Sequence, residues 1–305
     1  MKLNKGVRLM VGVPLLVLLC IGCQIHVAGC VVMARAKHEK TVILQQPLAS
    51  GHGIDVVTSS GSIKVEGTKT DQCHVLAKIR VRAKSEEVAA EIAEQIRILI
   101  TPTEAGLEIR ADKPKLKNVS ISISYDVTVP QQSSVVCRSS SGSLKVVDIE
   151  GTVTARTSSG SVRCENISGD SATLDTSSGS VHLSEATLET CRLHTSSGSV
   201  HGHRINCPDI KANVSSGSIT IACIETTSAE LQADLVTSSG SVNLTVPRHY
   251  TGQLDLSTSS GSIHTDLPVT IQGKVNKRHL IGTVGQGSGN IKLRSSSGSI
   301  RVKAL

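Results

Sequence analysis

Apolar and polar residues alternate along most of the chain, and the alternation is locked to a recurring tetrapeptide, Ser-Ser-Gly-Ser. Its glycine stands at Gly61, Gly142, Gly160, Gly179, Gly198, Gly217, Gly240, Gly261 and Gly298, at spacings of 81, 18, 19, 19, 19, 23, 21 and 37 residues. A period near twenty marks stacked repeats, each too small to bury its own apolar face. Counted from each glycine, positions seven and five before it and two and four after it are apolar throughout, except at Gly202 and Thr265. Apolar residues two apart with polar ones between them are the period of a strand with one buried face. Each repeat therefore predicts two short strands meeting at the glycine. Glycine takes the positive φ of a tight corner, and serines beside it bond backbone groups that the corner leaves unpaired. A further apolar residue seven after the glycine, in Ile149, Ile167, Ile205 and Ile224, predicts a third, shorter inward side. The expected fold is all-β, a right-handed parallel β-solenoid of ~19-residue coils stacked about 4.8 Å apart.

The 81-residue gap between Gly61 and Gly142 interrupts this ladder. Residues 73–83 read as a strand. Ser85 is a helix N-cap for a short amphipathic helix over SEEVAAEIAEQI, and RILITPTEAGLEIRAD reads as a hairpin turning near Ala105-Gly106. ISISYDVTV then alternates back into the solenoid. The helix is expected to cover an end or flank of the rod and protect an open sheet edge. Residues 41–305 are thus one solenoid domain, with a strand–helix–hairpin insert at 73–130 and the repeat ladder at 131–305. A second break, Pro268 to Gly289, reads as a degenerate coil with a loop.

Residues 1–30 follow another rule. Lys2, Lys5 and Arg8 precede an apolar run from Leu9 to Ile21, the layout of an export signal. The run ends in CIGC and is followed by VAGC, so Cys23 and Cys30 are the candidates for lipidation. The other reading keeps Leu9–Met33 as a membrane helix of about the ~20-residue spanning length. Each reading anchors the chain, exported, at a membrane of the cell envelope, periplasmic or at the cell surface.

Composition narrows the chemistry. There is no Trp or Phe, and only Tyr125 and Tyr250, so a sugar or nucleic-acid site built on aromatic stacking has almost nothing to use. The net charge of +7 falls to about +4 without Lys2, Lys5 and Arg8, too weak to argue for a nucleic-acid partner.

Candidate sites lie on the outward columns. Three residues after the glycine stand Lys64, Lys145, Arg163, His182, His201, Thr220, Asn243, His264 and Arg301, none of them acidic. Stacked, this column is a basic to neutral stripe suited to an anionic polymer such as an acidic polysaccharide. It also suits a plain solvated face whose Lys and Arg deter edge pairing. His182, His201 and His203 share a face in adjacent coils and form a candidate zinc or copper site. Asp234 and Asp255 share a column in consecutive coils, which predicts carboxylates about 5 Å apart, the separation of a retaining glycosidase pair. Beyond residue 30 the chain carries Cys73, Cys137, Cys164, Cys191, Cys207 and Cys223. Cys207 and Cys223, in neighbouring connecting segments, are the candidate disulfide; Cys137 and Cys164 equally suit buried apolar positions.

One coil, a helix-bearing insert and a ladder of TSSGS followed by Val or Ile, behind an N-terminal apolar segment, together resemble the DUF4097 family of bacterial adhesin-like β-strand-repeat proteins. The resemblance covers roughly residues 41–305. It implies a parallel β-solenoid exposed at the cell envelope, supplies no catalytic residues and implies no cofactor. The resulting expectation is a non-enzymatic, membrane-anchored adhesin-like protein whose partner is an envelope or extracellular polysaccharide or a surface protein. The alternative is a polysaccharide-active β-helix enzyme, a lyase or hydrolase.

Overall fold

The computed structural model describes residues 24–27, 30–33, 36–271 and 276–305. The apolar run Leu9–Ile21 and Cys23 lie outside them. Gln24–Val27 and Cys30–Met33 pair with each other as a small antiparallel ribbon, and no helix among the described residues is long and apolar enough to cross a membrane.

From residue 36 onward the fold is solenoid-like, all-β apart from the helix Glu86–Gln95. Each repeat contributes a strand before its glycine and a strand after it, and these stack into two sheets. In the post-glycine sheet the parallel neighbours run Ile263–Thr265, Ile300–Ala304, Val242–Val246, Ile219–Cys223 and Val200–Asn206. They continue through the first parts of Val181–Ser197 and Val162–Ser178 to Leu144–Glu150, Ile63–Thr68 and Ser120–Pro130. The pre-glycine sheet matches it row by row, from Gly252–Ser260 to Gly106–Asp112. The predicted columns are buried: Val162, Val181 and Val200 pair in register and are fully enclosed, as are Val135, Val153 and Ala172. At ~1.5–3 kcal/mol per buried large aliphatic side chain, the stripes of one coil count only when a neighbour covers them.

The corner explains the repeated tetrapeptide. All nine glycines have φ between 127° and 155°, a region closed to other residues. A Cβ on any of the seven from Gly160 to Gly298 would overlap the carbonyl of the neighbouring coil's glycine. That carbonyl is itself used. In seven of the nine coils a buried hydroxyl three residues before the glycine reaches that carbonyl from the next coil: Thr176 donates to Gly160, Thr195 to Gly179 and Thr237 to Gly217, each at 2.8 Å. The serine after the glycine completes the set, because the N–H groups of Ser199, Ser218 and Ser241 each donate to the neighbouring coil's serine Oγ at 3.2 Å. From Gly142 onward the side chains of the two serines before the glycine are exposed, but the backbone carbonyl of the second accepts from the neighbouring coil's glycine, as Ser178 does from the Gly160 N–H and Ser197 from the Gly179 N–H, each at 2.8 Å. A second corner, six residues after the glycine, is made by non-glycine residues at positive φ: Asp148, Asn166, Glu185 and Arg204. Asn166 Nδ2 donates to Asp148 Oδ1 at 2.6 Å along that ridge. The third inward side follows it, with Ile149, Ile167, Ala186 and Ile205 in register. Ile224 does not continue the column. A register shift puts Cys223 opposite Ile205, and Ile224 is left half-buried.

Both ends depart from sequence order. The strand, helix and hairpin of the insert form as expected, with Ser85 Oγ accepting from the Val88 N–H. The insert also builds a coil of its own, since Gly106–Asp112 and Ser120–Pro130 stack in parallel on the Gly61 coil. Gln72–Ala83 and Ala36–Pro47 then extend the post-glycine sheet antiparallel, and the helix packs on those two strands. At the other end the Gly298 coil lies between the Gly240 and Gly261 coils: Gln232–Ser239 pairs with Gly289–Ser297, which pairs with Gly252–Ser260. The span read as a degenerate coil is instead an antiparallel strand, His279–Val284, laid on the outer side of Gly252–Ser260 and followed on its far side by Thr270–Ile271.

Two substitutions test the corner by urea unfolding. Gly179→Ala is expected to cost roughly 2–4 kcal/mol from strained φ and carbonyl overlap, while Ser178→Ala, on the exposed serine beside it, changes stability by less than about 0.5 kcal/mol. Val214 is the one residue three before a corner glycine that lacks a hydroxyl, so Val214→Thr, bonding the Gly198 carbonyl, is expected to add about 1 kcal/mol.

Candidate functional site

With every backbone ladder satisfied inside the rod, chemistry is left to the side chains on the outer faces of the two sheets. On the post-glycine sheet the stripe forms as a column. Lys64, Lys145, Arg163, His182, His201 and Thr220 are successive register partners, followed by Asn243, Arg301 and His264. Arg301 therefore precedes His264 in space, the reverse of the sequence. Rows about 4.8 Å apart set Lys64, Lys145 and Arg163 side by side. Like charges directly opposite one another oppose folding, so this column is not arranged for stability.

Neighbouring acids temper only part of it. Lys64 Nζ bonds Glu66 at 2.6 Å, which raises its pKa and keeps the ammonium charged. Among the described residues neither Lys145, Arg163 nor Arg301 has an ion-pair partner. Near one end Asn243, Thr245, Arg301 and Lys303 line a shallow depression of about 310 Å³. At the other end the sheet continues past Asp126 to the exposed Lys78, Arg80 and Arg82, with Lys78 bonding Asp126 at 3.1 Å and Arg80 bonding Glu39 at 2.7 Å.

The family model described as Toastrack DUF4097 matches residues 33–303. The chain belongs to that family. No curated protein matches the sequence. Solved structures similar to this DUF4097 chain include one named a putative adhesin from Bacteroides fragilis NCTC 9343, at 14% identity and TM-score 0.44, covering 87% of this chain and 97% of that one. Another is named a putative lipid binding protein from Parabacteroides distasonis ATCC 8503, at 10% identity and TM-score 0.40, covering 88% and 96%. A third, a putative cell adhesion protein from Clostridium sporogenes ATCC 15579, has 12% identity and TM-score 0.29, covering 88% and 100%.

The remaining candidates of this DUF4097 chain separate when placed on the fold. The His182 and His201 rings stack, with centroids 4.9 Å apart and planes 16° from parallel. His203 lies in the next outward column, opposite Ser184. No group of three or more His, Cys, Asp or Glu among the described residues is placed to hold a metal ion. Asp234 and Asp255 are not neighbours: Lys292 is the register partner of both. Asp255 faces His279 at 3.3 Å, and Asp234 lines a depression of about 350 Å³ with Asp209, Lys211 and Lys292. The pre-glycine column therefore alternates in sign through Lys211, Asp234, Lys292 and Asp255.

All six cysteines from Cys73 to Cys223 are buried and free. Cys207 Sγ donates to the Asp209 carbonyl at 3.2 Å, and burial pushes the thiols of both Cys207 and Cys223 up to about 12. Such thiols stay protonated and act as small apolar side chains. Lys303 and the cations of Gln72–Ala83 were not singled out by the repeat reading. Lys303 sits in a column that varies along the rod, and Gln72–Ala83 joins the face only once the insert is placed.

Partial burial, the neighbouring His201 and then Arg163 lower the pKa of His182 from the ordinary 6.5. The unfolded chain then binds the proton first as pH falls, so stability declines below about 6.5 until the folded ring is itself protonated. Histidine ring NMR should place the His182 midpoint below 6.5, and His201→Ala or Arg163→Ala should each raise it.

Proposed function

We propose that the chain is an exported, membrane-anchored, non-enzymatic binding protein of the bacterial cell envelope, whose post-glycine face holds an anionic polymer. The observation that carries the reading is the column from Lys64 to Arg301 and His264, in which no acidic residue stands and three cations adjoin. A repeating anion laid along that column meets repeating donors on a rigid lattice, and each contact costs little ordering because the strands are already fixed. The basic start and apolar run before residue 23, with Cys23 or Cys30 as the lipidated residue, support export and anchoring. Lys292 between Asp234 and Asp255 removes the observation that favoured a polysaccharide-cleaving enzyme.

Co-sedimentation of the purified protein with insoluble acidic envelope polysaccharide tests the reading. At low salt the protein is expected to pellet with the polymer, to be released at high salt, and to leave no soluble sugar in the supernatant. The pair Lys145→Glu and Arg163→Glu should weaken binding at least tenfold, since reversing a charge about 4 Å from an anion changes the energy by roughly 1–2 kcal/mol even in water. Pelleting that ignores both salt and the double substitution sinks the stripe, and released sugar sinks the non-enzymatic reading.

A further inference from the structure

The two sheets have four terminal strands. Ile263–Thr265 has three residues, Arg97–Thr103 has seven with Pro102 near its end, and Thr270–Ile271 borders residues outside the described ones. Short strands and proline are the devices by which natural sheets blunt their edges. The fourth, Ala36–Pro47, is twelve residues long and has no glycine, and no proline before its last residue. Among the described residues it pairs only with Gln72–Ala83, along its whole length. Its centre is the run Thr41-Val42-Ile43-Leu44, and Ile43, 66% exposed, is the most exposed large hydrophobic side chain described. The helix Glu86–Gln95 packs on this strand and on its partner, and among the described residues no strand pairs with the far edge. A long edge strand with an exposed apolar centre is a pairing site, and Lys37, Glu39 and Lys40 restrict the partners and registers it accepts.

The charge pattern selects the occupant. A second copy paired antiparallel about Val42 sets Thr41 opposite Ile43, Lys40 opposite Leu44, Glu39 opposite Gln45 and Lys37 opposite Pro47. Val42 meets Val42, Thr41 meets Ile43, and no lysine meets a lysine. In-register parallel pairing would oppose Lys37 to Lys37 and Lys40 to Lys40, which destabilises. We propose that Ala36–Pro47 joins two copies of this chain, antiparallel about Val42, into one continuous sheet. The two-fold axis of such a pair stands perpendicular to the sheet, so the post-glycine faces of both copies, with their basic columns, look the same way. The two N-terminal segments leave from opposite ends of the shared ribbon, about 40 Å apart at ~3.3 Å per residue. The inference does not depend on what the basic column binds.

Sedimentation velocity and light scattering on the full chain in detergent test it. The protein mass is expected to be twice 31.9 kDa, with amides of residues 36–47 gaining hydrogen-exchange protection as concentration rises. Proline separates the interface from the fold. N–H groups of consecutive edge residues point alternately inward and outward, so one of Val42→Pro and Ile43→Pro removes only an outward donor. That variant should keep its far-UV spectrum and fall to half the mass, while the other loses stability. A wild-type monomer at about 100 µM, where even a weak interface is populated, overturns the proposal, whether the edge amides are open or are protected by the chain's own residues 24–33. So does a folded proline variant that remains dimeric.

Discussion

Adjacent coils approach so closely at the serine–glycine corner that the space beside each glycine is filled by the carbonyl of the next. That contact fixes the rest. It demands positive φ without a side chain, sets the row spacing that brings the aliphatic columns into contact, and leaves one carbonyl and one N–H per coil to be satisfied locally. The buried hydroxyl three residues earlier takes the carbonyl, and the serine Oγ of the adjoining coil takes the N–H. A buried polar group without a partner costs about 1–3 kcal/mol, so each repeat spends three of its five corner residues on one junction. The threonine faces inward for this reason: Thr176 and Thr195 have no exposed surface.

What could be read from the residues was whatever each repeat states for itself. The four inward positions, the corner glycine, the N-cap at Ser85 and the hairpin near Ala105-Gly106 are local patterns with local causes, and each appears in the fold. Which coil lies on which is a relation between repeats, and nearly identical corners accept one another indiscriminately. That is why the Gly240 coil was placed beside Gly261. A discriminating signal did exist on the outer face: direct stacking opposes Asp234 to Asp255, whereas the observed order gives Lys292 to both, and opposite-charge neighbours are favoured by roughly 0.2–1 kcal/mol each. The second corner was missed for another reason. Asp148, Asn166, Glu185 and Arg204 share a backbone conformation but no residue type, and only the Asp and Asn advertise it.

The same separation of tasks shapes the candidate site. Because the inward columns and corners hold the rod, outward residues are free to differ between coils, and the two faces have diverged. The pre-glycine column alternates in sign from Lys211 to Asp255, while the post-glycine column sets Lys64, Lys145 and Arg163 in succession, with only Lys64 paired to an acid, and continues into stacked imidazoles. Among the described residues the three candidate histidines are not grouped as metal ligands: two in one column stack ring on ring, with His203 one column away.

The position of the Gly298 coil has a consequence for how the molecule is made. Chain synthesis delivers residues in order, yet Ile300–Ala304 must lie between Val242–Val246 and Ile263–Thr265. The Gly261 coil cannot take its final place when it emerges. Gly289–Ser297 has to enter between it and the Gly240 coil, while His279–Val284 pairs on its outer side. Growth by simple accretion, which the middle of the rod permits, ends at Gly240; the last two coils interlock as a clasp does, and neither is complete without the other.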